Sequence, residues 1–407
     1  MDEPKRVLIL TADFGFGHRN AANAIAAALR ECYGDGCQVE IVNPLEDQRA
    51  PLILRDDQAG YDKQVSQMRD FYKLRYQFSD SPFPVAILER AFTVMLFEII
   101  RDIVTRIRPH VALSTHTMFA APLHAYITLR RLAMPLLNVV TDLTQVHRLW
   151  FNEGVDLCLV PTDEVYEQAL TCGLAQEQIQ VTGIPVNPDI ARQTRPPDAI
   201  RGELGWAPGL TTALVVGSKR VKNIIQALHV LNHSGLPLQL VLVAGGDDEL
   251  FSQFRAIEWH TLAHIYNYVE NMPDFMRASD LIVSKPGGLI ATEAMASGLP
   301  LLIIDVTPGQ EIGNADYIVR HGVGELAGEP SAALEILYHW LDRDGALLAE
   351  RASNASALGR PRSAYHVAEL AWQAAERGRP LPTTTRRLDR IQKLRDLLGS
   401  FGISSVD

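Results

Sequence analysis

With 407 residues, 47% of them hydrophobic, the chain has room for two ordinary domains and enough apolar material for substantial cores. Its 48 acidic against 38 basic residues leave a formal net charge of −10, which argues against a general nucleic-acid binder, normally a basic protein. Four cysteines, Cys32, Cys37, Cys158 and Cys172, are too few and too irregularly spaced for a disulfide framework or a cysteine-rich zinc site, and they fit a reducing cytoplasm.

The opening MDEPKRVLILTADFG passes into a strand with no signal-peptide apolar core. RVLILTA (6–12) predicts that strand, and DFGFGHRNAANAIAAALRE predicts a turn and an alanine-rich helix without internal proline. Gly15 and Gly17 flank Phe16 at the junction, and His18 stands at the helix start, where its ring can face the space above the sheet's carboxyl edge. Taken alone, Gly-x-Gly after a strand is a weak dinucleotide signal.

From Pro44 to Pro109 the β-α rhythm stops, and aromatic residues alternate with bases: Tyr61, Lys63, Arg69, Phe71, Tyr72, Lys73, Arg75, Tyr76, Phe78 and Phe83. Such a region either packs on its own domain or lies as a flap on an anionic membrane surface. Its most hydrophobic run, AFTVMLFEII at 91–100, is bounded by Arg90 and Arg101 and is too short to span a bilayer.

Strands and helices then alternate again through VALSTHTMFAAPLHAYITLRRL, PLLNVVTDL, DLCLVPTDEVYEQALTCG and IQVTGIPV, which predicts a parallel sheet. His116 and Asp142 each follow a strand and so line its carboxyl edge, whereas Asp163 is expected to N-cap the next helix. Trp150 fits either an exposed face or the core. The proline- and charge-rich stretch 183–209 separates this pattern from a second one that opens with TALVVGS. Asp247 and Asp248 read as a solvated turn, and no metal site is expected.

In the second pattern DLIVSKPGGLIATEAMASGLPLLIIDVTPGQEIGN (280–314) is a β-α-β unit. Gly287 and Gly288 fall between strand and helix, where the backbone N–H groups of a helix start offer an anion site suited to a diphosphate. Glu293 lies about one turn into the helix, placed to accept from a ribose hydroxyl pair, and Gln310 and Glu311 emerge beside it from the next strand. The tail TTTRRLDRIQKLRDLLGSFG sets Arg386, Arg387, Arg390, Lys393 and Arg395 among apolar residues at helical spacing and reads as a basic amphipathic helix.

GFGHRNAANAI, VTDLTQVHRLWFNEGVDLCLVPTDE and KPGGLIATEA…PGQE resemble the monogalactosyldiacylglycerol synthase and diacylglycerol glucosyltransferase family, most specifically over 13–25, 138–164, 181–188 and 283–314. The resemblance implies an α/β GT-B fold: two Rossmann-like doubly wound domains facing a central cleft. The corresponding boundaries are 1–190 for acceptor binding, 191–208 as linker, 209–361 for the UDP-sugar, 362–378 as a crossover helix and 379–407 as the basic tail. It implies an inverting hexosyltransferase that needs no cofactor beyond its donor substrate, a UDP-hexose. The acceptor would be diacylglycerol or a related lipid, the location cytoplasmic and peripheral on the inner membrane face, with no nucleic-acid partner. His18 would activate or place the acceptor, with Asp13 and Asp142 as orienters or auxiliary bases. Gly15, Gly17, Gly287 and Gly288 would give backbone space, Trp150 would face the acceptor, Glu293 the ribose, and Gln310 and Glu311 the sugar. The loop VVGSKRVKN departs from the family's glycine-rich form. It keeps only Gly217, and Lys219, Arg220 and Lys222 are expected to compensate with charge. The competing readings are transfer of N-acetylglucosamine to a polyprenyl-linked acceptor, a UDP-sugar epimerase, and an inactive UDP-sugar-binding membrane scaffold.

Overall fold

The computed structural model describes residues 3–14, 17–52, 54–55, 82–218, 221, 223–307, 310–379, 386–401 and 403. The chain divides into two compact units, Met1–Pro185 with Arg362–Asp407, and Val186–Pro361.

The first unit carries six parallel strands: β1 (Lys5–Leu10), β2 (Cys37–Val42), β3 (Val111–Ser114), β4 (Leu136–Val139), β5 (Leu157–Val160) and β6 (Ile179–Val181), in the order β2-β1-β3-β4-β5-β6. Val7, Leu8, Ile9 and Leu10 are all fully buried, because a parallel sheet is covered on both faces and its inner strands must be apolar throughout. On one face Leu8 and Leu10 pack with Leu96 and Ile100 of the helix Pro82–Ile107 and with Leu123 of the helix Ala120–Arg130. The run 91–100 is therefore core. On the other face Val7 and Ile9 pack with Ile25 and Leu29 of the helix Gly17–Tyr33 and with Val367 and Ala371 of the helix Ser363–Arg377.

The tail helix Arg386–Ser400 forms, but its apolar stripe does not face outward. Leu398 is 0% and Ile391 6% exposed, and Leu398 with Leu394 closes the first core, while Phe401 remains 64% exposed. Helical periodicity shows that a stripe exists without saying what covers it. Of the aromatic and basic residues between 44 and 109, Phe83 is 77% exposed; Tyr61, Lys63, Arg69, Phe71, Tyr72, Lys73, Arg75, Tyr76 and Phe78 lie outside the described residues.

The second unit repeats the plan with β7 (Thr211–Val216), β8 (Leu238–Val243), β9 (Ala263–Tyr266), β10 (Leu281–Ser284), β11 (Leu301–Ile303) and β12 (Gly324–Leu326), ordered β12-β11-β10-β7-β8-β9 and parallel throughout. Residues 191–208, expected as linker, are folded into this unit. They contribute parts of the helices Asp189–Arg192 and Pro197–Leu204, and buried Arg201 donates to Ala278 O and Asp280 Oδ2, both at 2.8 Å. Two expectations at helix starts change. Thr162, not Asp163, caps its helix by accepting from Val165 N–H, and Asp247 is a true N-cap, accepting from Glu249 and Leu250 N–H, rather than a solvated turn.

Behind the carboxyl ends of β7 and β8 the backbone is crowded. Gly245 has φ +69°, and a Cβ there would stand 2.8 Å from Gly217 O. Gly245→Ala combines that clash with a left-handed conformation costing about 1–2 kcal/mol, so a clear loss in urea or thermal denaturation is expected. A variant as stable as wild type would show that this contact yields.

Candidate active site

In each sheet two strands adjacent in space are not adjacent in sequence at one position, so the following loops diverge and leave a crevice at the carboxyl edge. In the first unit this position lies between β1 and β3. The helix Gly17–Tyr33 starts there with His18 in its first turn, and a Cβ on Gly17 would meet nothing within 4 Å. His18 Nδ1 lies 2.9 Å from Thr115 O, just past β3, and 2.7 Å from Thr141 Oγ1, past β4. A carbonyl can only accept, so the hydrogen is assigned to Nδ1 and the Nε2 lone pair is left without a partner among the described residues. Burial lowers the His18 pKa, while the nearby Asp142 and the bond to Thr115 O oppose that shift, which leaves a neutral imidazole at neutral pH. The His116 ring meets His18 edge-on at 4.6 Å and stacks on Phe14 at 4.9 Å; its own pKa is pushed well down by burial.

Trp150 is 0% exposed, so of the two placements open to it the core is the one found. Its indole Nε1–H donates to Asp142 Oδ2 at 2.7 Å, and Asn138 Nδ2–H holds the Trp150 carbonyl at 2.6 Å. Burial raises the Asp142 pKa, against His18, the indole bond and His147. Asp13 is engaged differently. Arg19 grips it with Nε at 2.8 Å and Nη2 at 2.9 Å, Asn43 adds a third bond, and the Arg19 bonds, more than any other cause, lower its pKa. A carboxylate so satisfied is an anchor for the loop, not a base. Gly15 lies outside the described residues.

In the second unit the corresponding position lies between β7 and β10. The helix Gly288–Ala296 follows β10 with Gly287 as N-cap and no side-chain cap, so its first N–H groups face the crevice. Gly287 has φ −61°, open to any residue, and a Cβ there would make only an ordinary 3.6 Å contact with Ile290 Cγ2. Glu293 sits half-buried in this helix with no hydrogen bond or ion pair among the described residues, and burial alone lifts its carboxyl from 4.5 to about 7. Glu311 is paired with Lys285, a residue the sequence reading missed: Nζ lies 2.5 Å from Oε1. Gln310 opens the same helix, Gln310–Arg320; its side chain, with Lys219, Arg220 and Lys222, lies outside the described residues. Gly217 N–H bonds Val243 O at 2.9 Å and is thus spent within the sheet. Among the described residues no three His, Cys, Asp or Glu side chains group for a metal ion, and no helix is long and apolar enough to cross a membrane.

Residues 18–186 match the family model for monogalactosyldiacylglycerol synthase, and residues 205–343 that for glycosyl transferases group 1. The chain is 30% identical over 384 residues to a probable chloroplastic monogalactosyldiacylglycerol synthase of Glycine max, covering 90% of this chain and 71% of that protein. The chloroplastic enzyme of Spinacia oleracea is likewise 30% identical, over 90% and 72%. Among solved structures, MurG of Acinetobacter baumannii superposes with TM-score 0.58 at 15% identity over 91% of this chain and 100% of that one. The calicheamicin glycosyltransferase CalG4 gives 0.57 at 13%, over 91% and 99%. These two establish a GT-B fold.

The folded state of Glu293 favours its protonated form, so stability falls as pH rises from 4.5 towards 7. Glu293→Gln should therefore raise Tm above pH 7, with the gain vanishing below 4.5. If this carboxylate holds a ribose, the same change weakens nucleotide binding by roughly 1.5–3 kcal/mol in calorimetry. Equal Tm values across the range would refute the buried, unpaired carboxylate.

Proposed function

Because the chain belongs to the monogalactosyldiacylglycerol synthase family, we propose that it transfers a hexose from a UDP-sugar to the free hydroxyl of diacylglycerol, with inversion at the anomeric carbon. The observation that carries this reading is the 2.9 Å contact of His18 Nδ1 with Thr115 O, which assigns the ring tautomer. Thr115 O fixes the proton on Nδ1, and burial keeps the ring neutral, so Nε2 is a ready base for an alcohol. In the reaction the acceptor O–H gives its proton to Nε2 as its oxygen forms the bond to the anomeric carbon. The bond from that carbon to the diphosphate breaks, and UDP leaves with the electron pair.

Asp142 stabilises the imidazolium that forms, and Trp150 holds Asp142 in place. On the donor side, the uncapped start of the helix Gly288–Ala296 takes the diphosphate and Glu293 the ribose hydroxyls. Lys219, Arg220 and Lys222 add charge for the leaving group in this proposal. A membrane-surface location belongs to it as well, supported by exposed Leu52, Phe83 and Ile87, at 69%, 77% and 50%.

The test is turnover of UDP-glucose and UDP-galactose with purified diacylglycerol, scored by mass spectrometry. Glycolipid formation is expected; product only with a polyprenyl-linked acceptor, epimerised donor, or UDP binding without turnover would each replace the proposal by the corresponding alternative. His18→Ala should lower kcat by about 10²–10⁴-fold with UDP affinity unchanged. In the wild type kcat/KM should rise with pH along a limb centred below 6.5, since the unprotonated ring is the active form. Asp142→Asn, which removes the charge that raises the His18 pKa, should move that limb lower still. A limb unmoved by Asp142→Asn would separate the two residues.

A further inference from the structure

The turn between β10 and the helix Gly288–Ala296 is braced to the helix Gln310–Arg320 by two side chains. Lys285 pairs with Glu311 at 2.5 Å, the two side chains only 13% and 14% exposed. One turn on, Asn314 Nδ2–H donates to Pro286 O at 2.9 Å. The second oxygen of Glu311, Oε2, accepts from Thr307 N–H at 2.7 Å, so the carboxylate is held at both oxygens. The turn closes on itself as well, through Gly287 N–H to Lys285 O at 2.9 Å.

We propose that Lys285 is a positioning residue for the sugar half of the donor: it latches Glu311, at the start of the helix Gln310–Arg320, against the turn that holds the diphosphate. This rests on the donor reading given above. The pairing also cancels the negative charge that Glu311 would otherwise set near an incoming diphosphate. A lysine in a strand-to-helix turn beside an anion site has a second obvious role, as a direct phosphate ligand. The geometry favours the latch, because its ammonium is enclosed and already engaged, and reaching a phosphate would leave Glu311 buried without its counter-charge.

The two roles differ in what they do to UDP. A phosphate ligand supports UDP and UDP-hexose alike, whereas a latch on the sugar segment supports only the hexose. Calorimetry on the full chain with UDP, UDP-glucose and UDP-galactose should be compared for wild type, Lys285→Met, Glu311→Gln and the double variant. UDP affinity is expected to stay at the wild-type level in all four, while affinity for the accepted UDP-hexose falls about tenfold, or about 1.4 kcal/mol, in each single variant. The double variant should bind no more weakly than the weaker single variant, since the pair acts as a unit. Lys285→Arg should restore part of the loss, and donor KM should rise more than kcat falls.

Equal losses for UDP and UDP-hexose would overturn the proposal in favour of a phosphate ligand. Additive losses in the double variant, or no loss at all, would also overturn it. Should Lys285→Met fail to fold, Glu311→Gln preserves shape and carries the same comparison. A wild type that binds no UDP at all would instead defeat the donor reading itself, and the latch with it.

Discussion

All strands in both sheets run parallel, and in each sheet that constraint places every strand's carboxyl end and every following helix's amino end along one edge of its own unit. Backbone N–H groups without helical partners collect there, as do the side chains of the first helical turn. The reversal of strand order between β1 and β3, and again between β7 and β10, then keeps the loops at those points from covering one another. His18 and Asp142 in the first unit, and Lys285 and Glu293 in the second, are functional candidates because of where the topology of each unit puts them.

The groups at these two edges fall into two physical kinds. Asp13, Trp150, Glu311 and Asn314 have their hydrogen-bonding capacity met by neighbours, and they fix geometry. Nε2 of His18 and the carboxylate of Glu293 have no such partner among the described residues, and each is desolvated.

The core strands were legible in the sequence because two-sided burial writes itself as unbroken apolar runs, as in VLIL and LQLVLV. β2 and β12 were not. β2 lies at the sheet edge, where Gln38 is exposed and Glu40 breaks the run, and β12 is three residues beginning with glycine. His18 and Glu293 could be found because a strand-to-helix junction is visible in sequence and chemistry concentrates there. Lys285 could not, since its partner lies 26 residues away and a lysine in a turn reads by default as solvated. Trp150 was ambiguous for a related reason: its burial depends on Asn138 and Asp142, and contact across strands leaves no local periodic trace. The tail helix shows the limit from the other side, where the period was right and the surface it covers was set by tertiary packing.

The order of the chain has its own consequence. The second unit is one uninterrupted stretch, Val186–Pro361, inserted in a first unit whose closing helix, Ser363–Arg377, and tail come last. On the ribosome, the alanine face of the helix Gly17–Tyr33, including Ala24 and Ala28, waits uncovered until Ala364, Val367, Ala368 and Ala371 have been made. The inserted unit can therefore finish folding first, although its host began synthesis earlier. A nascent chain that has emerged as far as residue 361 therefore carries the whole second unit and a first unit that still lacks its closing helix.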